Sequence, residues 1–537
     1  MTNAPVTTRD FPSLGVKPSE GHVDLTPLRG GLSVDLALAG LLLAVTALML
    51  LPGALGLPMA LWDESRVANN AIEMAKHGGW LVTTFGGVPD HWELKPPLLI
   101  WVMAALLRTG MDPMLAIRLP SILATMGSVL LVYASCRMLL KDRLAGLVGG
   151  LLLVCSVLFM GDHVGRTGDY DALLSLLTLG FVICAGLYID REAIGGQPRG
   201  SRLWIAAAAA LLLFAFLTKS VASGLTVPGV LAYAMMRRRL VALLADWRAW
   251  LSFAAAAAVV AGWLVLRESL APGYLAAVWH YDIAGTILTV PEGRQRGPAY
   301  YVWVLLRGFE PAILLSATLL VMPRDPDPKR RRLCLLTGLA ALSCLTLISF
   351  LNSRYFWYAA PVLPLAAVAI GVSTSTWLRG GGSSPKSIVL RRVMVGLPML
   401  LALAASFWFL NVRRPTAHSL YSMPDQVWYG SFMAQFPDPR TFDGVIVLDR
   451  GVPREGDPRY FSPIAKFFIE DAERHGAYMR LLPTVADLPA NASVLSCDPD
   501  MRQWLASQES FATIRSDAHC VFGNFLGPLD DFVHTAK

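Results

Sequence analysis

The chain reads as an α-helical polytopic membrane protein with about eleven transmembrane helices and a small C-terminal α/β domain outside the membrane. Three observations carry that expectation. Of 537 residues, 54% are hydrophobic and only 16% charged, whereas soluble domains carry about a quarter charged residues. Apolar runs of spanning length recur from residue 32 to residue 411. Arg and Lys gather in alternate connections between those runs, the pattern that orients a protein in a bilayer.

Taken in order, residues 1–30 mix Pro, Gly, Thr and charges without periodicity and read as a disordered cytoplasmic tail. The run near 32–52 has no small-residue cleavage site and is too long for a signal-peptide core, so it is expected to stay as the first helix. Further spans are expected near 118–139, 144–160, 171–189, 203–217, 220–236, 249–267, 299–321, 333–350, 357–377 and 393–411. The stretch "PLLIWVMAALL" (97–107) is too short to span and reads as an interfacial or re-entrant helix. Residues 31–411 thus form the membrane domain. The formal charge of +7 sits in short loops and marks orientation, not a nucleic-acid surface.

The basic loops are 136–143, 190–202, 236–248, 323–332 and 379–392. Five alternate loops agree, so they are expected in the cytoplasm. The opposite face, periplasmic if the membrane is a bacterial inner membrane, then receives 53–117, 161–170, 218–219, 268–298, 351–356 and everything after 411. Residues 412–537 have soluble composition. "FDGVIVLDR", "ASVLSC" and "HCVFGNF" read as strands, and "SPIAKFFIEDAERHGA" as an amphipathic helix with a Ser-Pro start. Five of the seven cysteines lie in or beside apolar runs. Cys497 and Cys520 lie in the outer region, where a disulfide forms readily.

The outer face collects the chemistry. "WDESR" (62–66) follows the first span, and the same loop carries "GGWLVTTFGGVPDHWELKPPLLIW" (78–101). "RLPS" (118–121), "GRTGDYDALL" (165–174), "FLTKS" (216–220), "PEGRQRGPAYY" (291–301) and "NSRYFWYAAPVLP" (352–364) follow. An acid pair placed directly beyond an apolar span is costly without a role. There is no Gly-rich phosphate loop after a strand.

This order of motifs resembles the polyprenyl-phosphate-dependent glycosyltransferases of the GT-C type, the protein mannosyltransferase-like families that include the lipid A aminoarabinose transferase. The resemblance covers residues 40–375. It implies transfer of a sugar from a polyprenyl-phosphate donor to an extracytoplasmic acceptor: lipid A, lipopolysaccharide or another envelope glycan, or alternatively a protein hydroxyl. A transporter for lipid-linked glycans is the reading from another class. Such a transfer needs a carboxylate to take or align the acceptor proton and cations to neutralise the departing phosphate. The resemblance puts Asp63 in the first role, with Glu64 in support and either Asp169 or Asp171 as the second acid; Asp171 fits the motif better. Lys95 matches the phosphate-binding lysine, and Arg66 and Lys219 are further candidates. Arg354 stands where the family has Lys, with Tyr358 and Pro361 in place. Arg294 or Arg296 is a candidate for a missing cation. No cofactor is required, though a divalent metal is compatible. The expected partners are the lipid-linked donor, the envelope acceptor and membrane lipids, without nucleic acid.

Overall fold

The computed structural model describes residues 31–61, 63–191, 198–287, 296–297, 299–380, 385–413, 426–454 and 457–527. The expected N-terminal tail and Arg294 lie outside the described residues.

The first span is α1 (Leu32–Gly56). The segment after it, read from sequence only as a loop, folds into a helix, α2 (Asp63–His77). Asp63 and Glu64 occupy its first turn and Lys76 and His77 its last, each favoured by the helix dipole. Gly78 (φ +77°) ends it in the left-handed region that glycine adopts at no steric cost. A short hairpin of β1 (Thr84–Phe85) and β2 (Val88–Pro89) leads to α3 (Leu98–Arg108). At 11 residues α3 is about 16 Å long, half a bilayer. It packs on α2 and on α4 (Pro113–Leu140), whose start is capped by Asp112 with Pro113 in the first turn.

The bundle continues with α5 (Arg143–Val154), the single turn α6 (Val157–Met160), α7 (Tyr170–Ile189), α8 (Pro198–Lys219), α9 (Val227–Met236), α10 (Leu240–Leu244) and α11 (Trp247–Leu270). Short turns α12 (Tyr274–Ala277) and α13 (Gly285–Ile287) precede α14 (Tyr300–Gly308) and α15 (Glu310–Ser316). The spans α16 (Pro328–Ser349), α17 (Val362–Arg379) and α18 (Pro385–Trp408) complete it. Among the described residues eight helical stretches are long and apolar enough to cross a membrane, and the bent pair starting at Tyr300 makes nine.

Contacts resolve the remainder. The 35-residue stretch 202–236 is not one crossing. Lys219 at its middle pairs with Asp171 at the start of α7, while Tyr233 and Arg237 at its end bond Asp190 just past the end of α7. The chain therefore reverses around residues 219–226, as the two separate expected runs require. Likewise α5 and α6 run from Asp142, paired with Arg330 and Arg379 on one face, to the 161–169 loop on the other. Divided in this way, the described residues make eleven helical passages between the two faces. α5 packs so tightly on α17 that a Cβ on Gly149 would lie 2.8 Å from the Ala367 carbonyl oxygen, and one on Gly371 2.6 Å from that of Ala145.

Charge divides cleanly between the two ends. The expected basic loops meet on one face, where Asp35 binds Arg137 and Arg143, Asp142 binds Arg330 and Arg379, Asp190 binds Arg237, and Asp246 binds Arg191. The other face holds α2, α3, the 161–169 loop and the C-terminal domain.

That domain is a five-stranded mixed sheet with helices. It comprises α19 (Tyr429–Met433), β3 (Ile446–Leu448), a hairpin of β4 (Val452–Arg454) and β5 (Asp457–Phe461), α20 (Pro463–Arg474), β6 (Arg480–Leu482), β7 (Ala492–Ser496), α21 (Pro499–Ala506), β8 (Phe511–Ser516) and β9 (Val521–Phe525). The order is β6-β3-β7-β9-β8, parallel across the first three strands and antiparallel across the last three. The domain shares its core with the interfacial helices: Phe467, Phe468 and Ala472 of α20 join Val67, Ala71 and Ile72 of α2. Around that contact Lys76 pairs with Glu470 and Glu473, Lys466 lies 3.4 Å from Glu73, and Asn69 donates to the Pro463 carbonyl at 2.7 Å.

Cys497 and Cys520 are bonded at one end of the β7–β9 pair, 23 positions apart. A loop of that length is worth about 3 kcal/mol of stability. Thiol labelling of the denatured, unreduced protein should therefore modify five of its seven cysteines. The double serine variant should lower the unfolding midpoint of the outer domain by several degrees; seven labelled thiols would remove the bridge.

Candidate active site

The site is built around two adjacent acids that do different things. Glu64 is buried. It accepts from Arg118 Nε at 2.7 Å and Nη2 at 2.9 Å, from the Ala60 amide at 2.7 Å and from the Gly168 amide at 3.0 Å. Arg118 in turn donates to the carbonyls of Ala54, Leu57 and Pro58. Burial pushes the Glu64 carboxyl up, but the Arg118 guanidinium and the two amides outweigh it and hold it below the usual range. Glu64 thus ties the start of α2 to Arg118 and the Gly168 amide, a supporting place behind the site. Every acceptor position is spent on the frame.

Asp63 points the other way. Its side chain is 53% exposed, and its Oδ2 lies 3.6 Å from His163 Nδ1. The same imidazole nitrogen lies 3.8 Å from Asp169 Oδ1. His163 is held in place by stacking on Trp357 at 3.9 Å, by Phe356 at its edge, and by its own amide donating to the Thr167 hydroxyl at 2.7 Å. Asp169 occupies the cap position of α7 yet makes no cap bond; its carboxylate accepts from the Thr167 hydroxyl instead. Burial raises the Asp169 carboxyl above the usual range; neighbouring His163 opposes this, and Asp63 adds to it. Asp63, His163 and Asp169 offer ligand atoms within 4.8 Å of one another, a spacing compatible with one divalent cation.

Asp171, the acid that the motif favours, is engaged elsewhere. It forms a bidentate pair with Lys219 at 2.6 and 2.7 Å. Lys219 also lies 5.3 Å from the Tyr358 ring. The second acid beside Asp63 is therefore Asp169. Lys95 pairs with buried Glu93 at 3.1 Å and lies 5.3 Å from the Tyr170 ring. Burial lowers its basicity, but Glu93, Asp282 and Asp63 more than offset this and hold the ammonium charged. Arg66 is paired as well. Asp90 takes its Nε at 2.8 Å and its Nη2 as well, and Phe85 and Trp92 lie 4.3 and 4.2 Å from its guanidinium carbon. It locks the β1–β2 hairpin to α2, with its fork already committed to a carboxylate.

Arg354 and Arg296 come together, each donating to the backbone carbonyl of the other. Arg354 also donates to Ser349, and Arg296 lies over Tyr300 at 4.5 Å. Tyr355 connects this pair to the rest: it accepts from Tyr301 through its carbonyl and stacks on Trp357, with Tyr358 5.4 Å away. The structure thus brings Asp63, His163, Asp169, Asp171, Lys219, Lys95 and Tyr358 into one region of one face. His163 escaped the sequence reading. Its signal was a polar "GDH" directly after an apolar run, which alone does not distinguish a site residue from a loop.

Arg118→Met should leave Glu64 buried without its counter-charge and cost about 3–5 kcal/mol. The double variant Glu64→Gln/Arg118→Met should recover much of that loss. Because the folded Glu64 carboxyl titrates low, its contribution is complete at neutral pH. It should disappear only on acidification below the ordinary glutamate range near ~4.3. Thermal denaturation of the purified variants across pH checks both; equal melting of wild type and Arg118→Met would contradict the tie.

A family model described as dolichyl-phosphate-mannose-protein mannosyltransferase matches residues 94–265, about a third of the chain. No curated protein matches by sequence. The crystal structure of ArnT from Cupriavidus metallidurans bound to undecaprenyl phosphate superimposes with a TM-score of 0.63 at 16% identity, covering 94% of this chain and 100% of that one. The apo ArnT structure from the same organism gives 0.60 at 18% identity, covering 93% and 99%. With its eleven helical passages among the described residues and its outer-face loops, this chain is a membrane protein of the GT-C glycosyltransferase fold.

Proposed function

We propose that the protein transfers a sugar from a polyprenyl-phosphate donor to a hydroxyl of an extracytoplasmic envelope acceptor, a lipid A-type lipid or another glycan. Asp63 is the base or the acceptor-orienting acid. The single observation that carries the reading is the contrast between neighbours: Glu64 is buried and saturated, while Asp63 is exposed beside His163 and Asp169. A carboxylate left open in an otherwise paired region is available to a substrate. The ArnT relative, which binds undecaprenyl phosphate, supports the donor class.

In this reading the acceptor oxygen attacks the anomeric carbon as the bond to the donor phosphate breaks. The acceptor proton passes to Asp63, and the phosphate leaves with the bonding electrons. Lys95 and Lys219 neutralise that charge, and the Tyr358 hydroxyl donates to it. Arg354 and Arg296 set the positive potential at its edge. The transfer needs no metal for these steps. The basic loops orient their own face to the cytoplasm, so the site on the other face points outward in a bacterial inner membrane.

Mass spectrometry of envelope lipids and glycans with and without the gene identifies the product. Sugar label appearing in protein instead of lipid would move the assignment to a protein O-glycosyltransferase. Asp63→Asn should lower turnover by ~10²-fold or more while donor binding persists. Lys95→Ala should weaken donor binding more than acceptor binding, by roughly 1.5–3 kcal/mol. Normal turnover in Asp63→Asn would sink its role. Chelator-treated protein should keep its turnover; loss restored by a divalent ion would turn the Asp63–His163–Asp169 group into a metal site.

A further inference from the structure

The end of α11 carries a charge that the scheme above does not use. Val265, Leu266 and Leu270 are exposed along this helix, but Arg267 between them is turned inward and only 2% exposed. Its Nη2 lies 3.5 Å from the Asp90 carbonyl oxygen. Its guanidinium carbon lies 4.6 Å from the Tyr274 ring. Its Nη1 is buried with no hydrogen-bond partner among the described residues.

The acids nearby are taken. Asp90 is spent on Arg66, Asn70 and the Trp92 amide. Glu268 accepts from the amides of Gly273 and Leu275. Arginine keeps its proton under all ordinary conditions. A full positive charge is therefore buried against a carbonyl and a ring, with Asp90 and Glu268 near enough to attract it but already engaged by other groups, an arrangement of high cost unless an anion joins it. The place is also informative. The Tyr274 hydroxyl donates to the Leu94 carbonyl at 2.6 Å, so the segment that Arg267 touches at Asp90 ends in Lys95. The apolar face of α11 opens this end of the helix to the bilayer side.

We propose that Arg267 binds a phosphate group carried by a membrane lipid, taken up beside the Asp90–Lys95 segment. The planar fork of a guanidinium suits two phosphate oxygens. The phosphate belongs either to the polyprenyl donor or to a phospholipid headgroup. The donor source rests on the transferase reading; the headgroup source does not.

The test is the thermal unfolding midpoint of lipid-stripped, full-length protein in dodecyl maltoside, titrated with undecaprenyl phosphate and separately with phosphatidylglycerol. Wild type should be stabilised saturably. Arg267→Met, which keeps volume and removes a buried charge, should fold and need at least ~10-fold more lipid for the same shift. Arg267→Lys keeps the charge without the fork and should fall between them; it decides the question if the Met variant does not fold. Dependence on Arg267 in the undecaprenyl phosphate arm assigns the donor, and dependence in the phosphatidylglycerol arm alone assigns a headgroup. Identical titrations of variants and wild type in both arms overturn the proposal and leave Arg267 as a pin between α11 and the loop. Lys95→Ala, run in parallel, separates the two ideas. If it weakens the undecaprenyl phosphate response while Arg267→Met does not, the transferase reading stands and this one falls. If wild type ignores undecaprenyl phosphate, the transferase reading falls and Arg267 is judged on phosphatidylglycerol.

Discussion

The outer face depends on the buried pair of Glu64 and Arg118. Arg118 collects the last carbonyls after α1, while Glu64 holds the first turn of α2 and the Gly168 amide. One carboxylate thereby fixes both arms of the site, because Asp63 precedes it in the chain and Asp169 follows Gly168. The approach at Gly168 is close: a Cβ there would lie 2.4 Å from Ile117 Cγ2. Two buried charges are expensive to desolvate, and good geometry with every lone pair used is what offsets that cost. The rigidity so obtained is what a half-exposed carboxylate needs if it is to meet a substrate at a defined place.

The two membrane faces solve the same electrostatic problem differently. On the basic face Asp35, Asp142, Asp190, Asp246 and Asp325 are each answered by one or more arginines, and the pairs bind helix ends to each other. On the outer face several groups carry more than a pair requires. Lys95 has Glu93 beside it and Asp63 and Asp282 nearby; Lys219 has Asp171 and the Tyr358 ring. The outer domain joins this arrangement through α2. Its helix α20 supplies the apolar surface that completes the core around Val67, Ala71 and Ile72, and its acids engage Lys76. The domain is thus part of the wall behind the site. Any load on α20 is transmitted to the helix that begins with Asp63.

Much of the outer face was legible before the fold was known, but unevenly. The interfacial reading of 97–107 holds because eleven apolar residues are too few to span. The helix at 63–77 went unread although Val67, Ala71, Met74 and Ala75 recur at helical spacing, because its polar residues made it look like a loop. Its buried Asn69 and Asn70 donate to the carbonyls of Pro463 and Thr84, and its Glu73 accepts from the amides of Gly86 and Gly87, partners that only the fold supplies. In the outer domain the strands of greatest hydrophobicity were readable, whereas β6, β8 and the β4–β5 hairpin carry too little pattern to stand out.

The sequence by itself determined the membrane class, the alternation of basic loops, the short α3, and the set of outer-face residues that includes Asp63, Lys95, Lys219 and Tyr358. These follow from composition and run length, which act residue by residue along the chain. Tertiary structure alone decided how those residues divide. It assigned Glu64 to Arg118, Arg66 to Asp90 and Asp171 to Lys219, left Asp63 exposed beside His163 and Asp169, and buried Arg267 with no ion pair among the described residues. The physical reason is that a charge in a low-dielectric setting is defined by its partner. Partners here can lie 394 positions apart, as Lys76 does from Glu470, and no local pattern records that choice.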